Sequence, residues 1–213
     1  MHQAPSTIPT SAIVIAGGRS SRLGRDKRRL RLWGAGGPML LEHTIGVVAQ
    51  FCSDVVVVLN DGDEWADLPA RIVPDAFPDS GPLAGIYSGL LAAQHEYALA
   101  VAADMPFLSP ELLRAMLARE REYDVLAPRS LRPGAARNQL DVEPLHAIYR
   151  KTCLEPMRAA LENGRRQIAA FFPQVQVAYV EPDAVLHYDP SGRALENINT
   201  PEQLAAAEQL LNG

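Results

Sequence analysis

The side chains best suited to chemistry crowd into "IAGGRSSRLGRDK", residues 15–27, directly after an apolar run. Gly17 and Gly18 have no side chain to keep a ligand from the backbone amides, and such amides favour anions. Arg19, Arg22, Arg25 and Lys27 follow within a few residues, with the hydroxyls of Ser20 and Ser21 between them. Arginine offers phosphate oxygens a planar fork, whereas lysine is a mobile point charge. The set therefore suits a polyphosphate. It is not a P-loop, because the residue five after Gly18 is Leu23 and Lys27 is followed by Arg28. Nor is it the dinucleotide fingerprint, since Gly17 and Gly18 are adjacent and the next glycine is Gly24. A glycine pair alone also describes a solvated turn with surface arginines.

Asp104 ends the apolar run "VAADMP", where a carboxylate projects from a sheet edge. Mg²⁺ takes one or two carboxylates plus phosphate oxygens, and one Asp meets that need; the same Asp also suits the turn before Pro106. Asn60 ends "VVVVLN" and Asp75 ends "RIVPD". In "SGPLAGIYSGL" small residues open a helix, so Gly81, Pro82, Leu83 and Gly85 either floor a cleft below the helix amides or let helix and sheet pack closely. "ENINTPEQL" places Asn197 and Asn199 on one face of an extended segment, just before the Thr200 cap. Arg129, Arg132 and Arg137 share one loop, and Arg165 and Arg166 follow Gly164; solvated charge is the plainer reading of both groups. His43, His95, His146 and His187 have no nucleophile or acid at useful spacing and are read as structural. Cys52 and Cys153 are too isolated for a zinc site or a disulfide framework.

The elements that must hold these residues alternate. Apolar runs at 12–17, 54–60, 98–104, 124–128 and 175–180 read as strands buried on both faces. Residues 38–52 and 82–94 carry apolar residues at helical spacing. Start signals predict three later helices: Ser109 before Pro110, a capping box of Thr152 and Glu155 closed by Gly164, and Thr200-Pro201-Glu202-Gln203. The alternation predicts an α/β fold, a doubly wound, mainly parallel sheet with helices on both faces. Ligands then bind beyond the carboxyl ends of the strands, which puts the loops after residues 17, 60, 104 and 128 on one rim.

Residues 1–11, rich in Pro, Ser and Thr, read as a disordered leader, and 12–213 as a single domain. No apolar stretch approaches the roughly 20 residues of a membrane span, and the start lacks the regions of a signal peptide, so a cytoplasmic protein is expected. A formal net charge of −5 argues against broad nucleic-acid binding.

"IAGGRSSRLGRDK" resembles the [LI]-A-G-G-x-S-x-R-[ML]-G-x-D-K signature of the molybdenum cofactor guanylyltransferases, members of the wider nucleotidyltransferase superfamily. The likeness continues in family order through "PDAFPDSGPLAGIYSGL", "AADMPFLSPELL", "EPLHAIYR" and "ENINTPEQL", nearly the whole chain after the leader. Ile15 stands for the usual leucine, Leu23 for methionine, and the Arg-rich loop at 129–137 is long. The resemblance implies a Rossmann-like three-layer fold of the nucleotide-diphospho-sugar transferase kind. It also implies transfer of GMP from MgGTP to the terminal phosphate of molybdopterin, the product passing to molybdoenzymes or their chaperones. Ile15, Ala16, Gly17, Lys27, Asn60, Asp75 and Asp104 would contact GTP, with Gly18, Pro82 and Leu83 along the cleft and Asp104 as Mg²⁺ ligand. Arg22 and Lys27 would meet charge on the departing pyrophosphate. Asn197 and Asn199 border the pterin side or share the metal; both roles stay open. A phosphate-monoester acceptor, with a second pKa of about 6, needs no general base. Rival readings are cytidylyl transfer, whose enzymes tend to carry Ala-Ala-Gly where this chain has Ala16-Gly17-Gly18, sugar- or polyol-phosphate activation, and a non-catalytic cofactor-delivery adaptor.

Overall fold

The computed structural model describes residues 8–17, 24, 26–131 and 141–212. Their central feature is a seven-stranded sheet ordered β3-β2-β1-β4-β6-β5-β7. Its strands are β1 (Thr10–Ile15), β2 (Val55–Val58), β3 (Arg71–Val73), β4 (Tyr97–Ala102), β5 (Val125–Pro128), β6 (His146–Arg150) and β7 (Val177–Val180). β1 pairs in parallel with β2 and β4, β2 with β3, and β5 with β7. β6 alone runs antiparallel, between β4 and β5. The sheet is thus mainly parallel, as the alternation predicts. β3 and β6 lie outside the apolar runs read as strands; β3 is a three-residue edge strand, and β6 ends in the polar pair Tyr149-Arg150.

The continuous apolar character of β1 has a direct cause: both of its faces are covered. Ala12, Val14 and Ala16 join a core with α1 (Leu40–Val48) and α3 (Pro110–Leu117). Ile13 and Ile15 join the opposite core with α2 (Pro82–Ala92) and α4 (Leu154–Glu162). Three layers result. α5 (Pro182–Tyr188) and α6 (Pro201–Asn212) complete the helices, and none in the described residues is long and apolar enough to cross a membrane.

The helix signals fare unevenly. Ser109 caps α3 by accepting from the Leu112 amide (3.2 Å). At α6 the box closes in both directions, with Gln203 N–H donating to Thr200 Oγ1 (3.3 Å) and Gln203 Oε1 accepting from the Thr200 amide (3.1 Å). The box expected at Thr152 does not form. Thr152 instead donates to Asp124 Oδ1 (2.6 Å), Glu155 pairs with Arg158, and a 3₁₀ turn at Lys151–Cys153 leads into α4. Gly164 does close that helix, through amides donated from Gly164 to Leu161 and from Arg165 to Ala160, both at 2.9 Å. Order begins earlier than the leader expected over residues 1–11 allows: Thr10 and Ser11 already belong to β1, with Ser11 donating to Asp54 Oδ2 at 2.6 Å. Residues 1–7 lie outside the described set.

α2 approaches β1 so closely that Gly89 leaves no room for a side chain and Gly85 leaves little. A Cβ on Gly89 would come within 2.2 Å of Ile13 Cγ2, and one on Gly85 within 3.1 Å of Ile15 Cγ2. Alanine gains up to about 1 kcal/mol of helix propensity over glycine, while overpacking a core costs about 1–3 kcal/mol. Gly89→Ala should therefore lower unfolding free energy by about 1–2 kcal/mol, read from urea denaturation; an unchanged or higher midpoint contradicts this packing.

His146 on β6 is fully buried, and neither ring nitrogen has a hydrogen-bond partner among the described residues. Burial pushes its pKa down to about 4, the charge of Asp189 pulling weakly the other way. Since the unfolded imidazole titrates near 6.5, the unfolded state alone takes up the proton between those pH values, and stability falls as pH drops through that window by up to roughly 3 kcal/mol. His146→Leu should flatten the fall between pH 6.5 and 4 in denaturant titrations; an unaltered slope assigns it to other groups.

Candidate active site

β1 sits where the chain reverses its direction of winding, running outward through β2 and β3 and then returning to place β4 on the other side of β1. Such a switch point opens a crevice beyond the carboxyl ends of the two strands. A cavity of about 270 Å³ lies there, lined by Ala16 and Gly17 after β1, by Ala103 and Asp104 after β4, and by Lys27 and Asn199.

Three side chains from distant parts of the chain meet in it. Lys27 Nζ donates to Asp104 Oδ2 (3.1 Å) and to Asn199 Oδ1 (2.8 Å), and the Lys27 and Asp104 side chains are 14% and 22% exposed. Asp104 has a second task through its backbone. Its carbonyl accepts the Ile198 amide (3.0 Å), which draws the late segment alongside β4. Ile198 is buried, so Asn197 and Asn199 on either side of it face the cavity, as their spacing predicts. Gln203 Oε1 fixes the segment by accepting from the Asn199 amide (2.7 Å) as well as from Thr200.

A second cavity, of about 280 Å³, shares Ile15, Gly17 and Pro82 with the first and extends over β2 and the start of α2. Asn60 and Asp75 line it and are bonded, the Asp75 amide donating to Asn60 Oδ1 (2.9 Å). Asp75 Oδ1 in turn accepts from the Phe77 amide (3.0 Å) and from Ser88 of α2 (3.1 Å), while Ser88 Oγ accepts from the Ala76 amide (2.8 Å). Gly81 caps α2 with φ +81°, a conformation that glycine adopts without strain, and lines the cavity with Pro82 and Gly85. Leu83 does not join them. It is fully buried in the core beneath α2, because the second position of that helix points into the sheet.

The Ala16 amide is already committed to the Val58 carbonyl (3.0 Å), and the Ile15 carbonyl accepts from Ala103 (3.0 Å). Gly18, Arg22, Arg132 and Arg137 lie outside the described residues. Arg129 pairs with Glu181 (3.4 Å) and lies over the Tyr179 ring (4.1 Å). Arg166 lies beside Gly81, where an added Cβ would stand 3.9 Å from its own. Burial pushes the thiols of Cys52 and Cys153 up to about 12, consistent with inert core residues. Among the described residues, no cluster of three or more His, Cys, Asp or Glu side chains is placed to hold a metal.

Sequence reasoning passed over Asp79, Ser88, Arg28 and Leu145. Asp79 lines the second cavity with φ +58°, and Arg28 and Leu145 line the first. The dipeptide Asp79-Ser80 before Gly81 carries a turn signal for the first of these; Ser88 and Arg28 act through partners 13 and 33 residues away that no local pattern discloses.

Residues 12–177 match the model of the MobA-like NTP transferase domain. The chain belongs to this family. It is a nucleotidyltransferase. A "Probable molybdenum cofactor guanylyltransferase" of Chloroflexus aggregans is 43% identical over 208 residues, 97% of each chain. A "Molybdenum cofactor guanylyltransferase" of Desulfosudis oleivorans is 31% identical over 199 residues, 93% of this chain and 94% of the relative. Among solved structures, molybdopterin-guanine dinucleotide biosynthesis protein A from Archaeoglobus fulgidus superposes with a TM-score of 0.78 at 26% identity, covering 94% of this chain and 98% of that one. The 2-C-methyl-D-erythritol 4-phosphate cytidylyltransferase of Thermus thermophilus, 21% identical with a TM-score of 0.68 over 97% and 100% of the two chains, shares the fold.

Asn60→Ala removes the acceptor of the Asp75 amide and one wall of the second cavity. Loss of this bond within the protein costs about 1 kcal/mol of stability, a fall of about 2–4 °C in melting temperature, and loss of an equal contact to nucleotide lowers affinity roughly fivefold by calorimetry. Unaltered affinity would remove Asn60 from the site.

Proposed function

We propose that this nucleotidyltransferase moves GMP from GTP to the terminal phosphate of molybdopterin, forming molybdopterin guanine dinucleotide and pyrophosphate. The contact of Lys27 with Asp104 and Asn199, in the first of two cavities that share Ile15, Gly17 and Pro82, carries the reading. One cavity then takes the base and ribose, with Asn60 and Asp75 near the base, and the other takes the phosphates and the acceptor.

The donors fit a hard divalent cation, because two oxygens, one carboxylate and one amide, already converge on a cationic group, the Lys27 ammonium. Asp104 and Asn199 would hold Mg²⁺, leaving its other positions to phosphate oxygens and water. Bound there, the ion supplies charge neutralisation to the triphosphate. Of the two roles open to the late asparagines, the metal falls to Asn199 in this reading and the acceptor to Asn197.

An oxygen of the acceptor phosphate forms the new bond to the α-phosphorus, and the bond from that phosphorus to the bridging oxygen of pyrophosphate breaks. The acceptor needs no base, being largely dianionic above its second pKa of about 6. The titratable groups lining the two cavities in the described residues are Lys27, Arg28, Asp75, Asp79 and Asp104, with no histidine among them. Lys27 turns its ammonium from Asp104 to the phosphates and meets charge on the leaving group. Aligning the two phosphates in the first cavity supplies the rest of the barrier reduction. The dinucleotide is then available to molybdoenzymes or their chaperones.

With molybdopterin, GTP and Mg²⁺, the wild-type protein should release pyrophosphate and form the guanine dinucleotide, with GTP preferred over CTP. Asp104→Ala should cut turnover at least a hundredfold while leaving the fold intact by circular dichroism. Transfer that persists in this variant, or a preference for CTP, contradicts the proposal.

A further inference from the structure

Lys27 stands in a 3₁₀ turn of three residues, Lys27–Arg29, closed by two backbone hydrogen bonds, Arg29 N–H to Asp26 O (3.2 Å) and Leu30 N–H to Lys27 O (3.1 Å). So short a turn has little stability of its own, because nucleation consumes most of what one or two hydrogen bonds return. The placement of the Lys27 ammonium must come from outside the turn.

Asp104 and Asn199 bind the ammonium itself, and the side chain of the next residue ties the turn to partners beyond it. Arg28 donates to Asp26 through Nε (2.9 Å) and Nη2 (2.8 Å), and to Asp61 through Nη1 (2.7 Å) and Nη2 (2.6 Å). Asp26 also accepts the Arg28 amide (3.0 Å), which caps the turn. The guanidinium carbon lies 5.2 Å from the centroid of Trp65, and that of Arg29 4.4 Å from it, with Arg29 paired to Glu64 (2.7 Å). Trp65 is buried in the core, so both arginines rest on a fixed surface. Asp61 follows Asn60 directly, and Asn60 holds the Asp75 amide. One guanidinium therefore joins the loop bearing Lys27 to the loop bearing Asn60, across the two cavities.

We propose that Arg28 is a positioning residue, pairing with Asp26 and Asp61 together so that Lys27 is held over Asp104 and its place is coupled to that of Asn60. The inference rests on the nucleotide reading of the two cavities. Facing two carboxylates, Arg28 has little charge left for phosphate, although it lines the first cavity. With an exposure of 18% against 36% for Asp61 and 30% for Asp26, the trio is less open to screening than a surface pair. The bonds from Arg28 hold the Asp61 carboxyl below its ordinary range. They also outweigh burial, which would raise Asp26, and hold that group low as well. Both carboxylates are thus ionised at neutral pH, where the pairing is intact. Lysine does not replace a residue that grips two carboxylates with a planar fork.

The test compares Arg28→Gln, Arg28→Lys, Asp61→Asn and the Arg28→Gln/Asp61→Asn double variant, reading the GTP dissociation constant by calorimetry, kcat and KM in transfer, and the melting temperature. Each single variant should lower kcat/KM for GTP roughly tenfold, with kcat falling along with affinity, at temperatures well below melting. The double variant should lose no more than the worse single one, since both remove the same connection. Arg28→Lys should not restore activity. Single variants within twofold of wild type, additive losses, or full rescue by lysine overturn the inference. If the wild-type protein itself binds no GTP, the nucleotide reading falls and this inference with it; if it binds GTP and the variants are unaffected, this inference alone falls.

Discussion

One ammonium group draws the active-site region together. Lys27 reaches Asp104, 77 residues onward, and Asn199, 172 residues onward, and each partner is delivered by a different element. β4 brings the carboxylate to the sheet edge. The extended segment before α6 brings the amide, held to β4 by the bond from Ile198 to the Asp104 carbonyl. That backbone bond, the burial of Ile198 and the bond from Lys27 together keep Asn197 and Asn199 beside the end of β4. The ammonium and the carboxylate complement each other in charge, and in the proposed reading the same two oxygens would hold a divalent ion once phosphate takes the ammonium.

The sheet makes this convergence possible. Reversal of winding between β1 and β4 leaves the crevice, and helix α2 lies under it because Gly85 and Gly89 let it settle onto Ile15 and Ile13. Close packing of helix on strand thus sets the depth of the second cavity, whose floor is Pro82 and Gly85. The other edge of the sheet works differently. There Asp54 accepts from Ser11 (2.6 Å), Arg71 (2.7 Å) and the Gln94 amide (2.9 Å), tying β1, β2 and β3 together without facing either cavity. Burial would raise the Asp54 carboxyl, yet the bonds from Ser11, Gln94 and Arg71 hold it low, as befits a structural carboxylate.

Much of the fold was legible because burial on two faces writes itself into composition. The five runs read as strands all became strands, and Gly17, Asn60 and Asp104 at the ends of three of those runs line the cavities. Where local signals failed, a longer-range contact had prevailed. Thr152 left its expected helix cap to bond Asp124, just before β5, and β6 was hidden because its pairing with β4 and β5 spans stretches of chain that no short window contains. Leu83 was misplaced for a related reason. Its position in the motif put it next to Pro82, but the rotation of α2 turned it into the core.

The sequence by itself determined the alternation of elements, the glycine and arginine loop, the carboxylate at the end of β4 and the cap of α6, since each depends on the residues within a turn or two. Tertiary structure alone decided that β6 would enter the sheet antiparallel, that Asn199 would meet Lys27, and that Arg28 would take Asp61 as a partner. Those pairings depend on which distant surfaces come together when two apolar cores close around one sheet, and no periodicity along the chain carries that information.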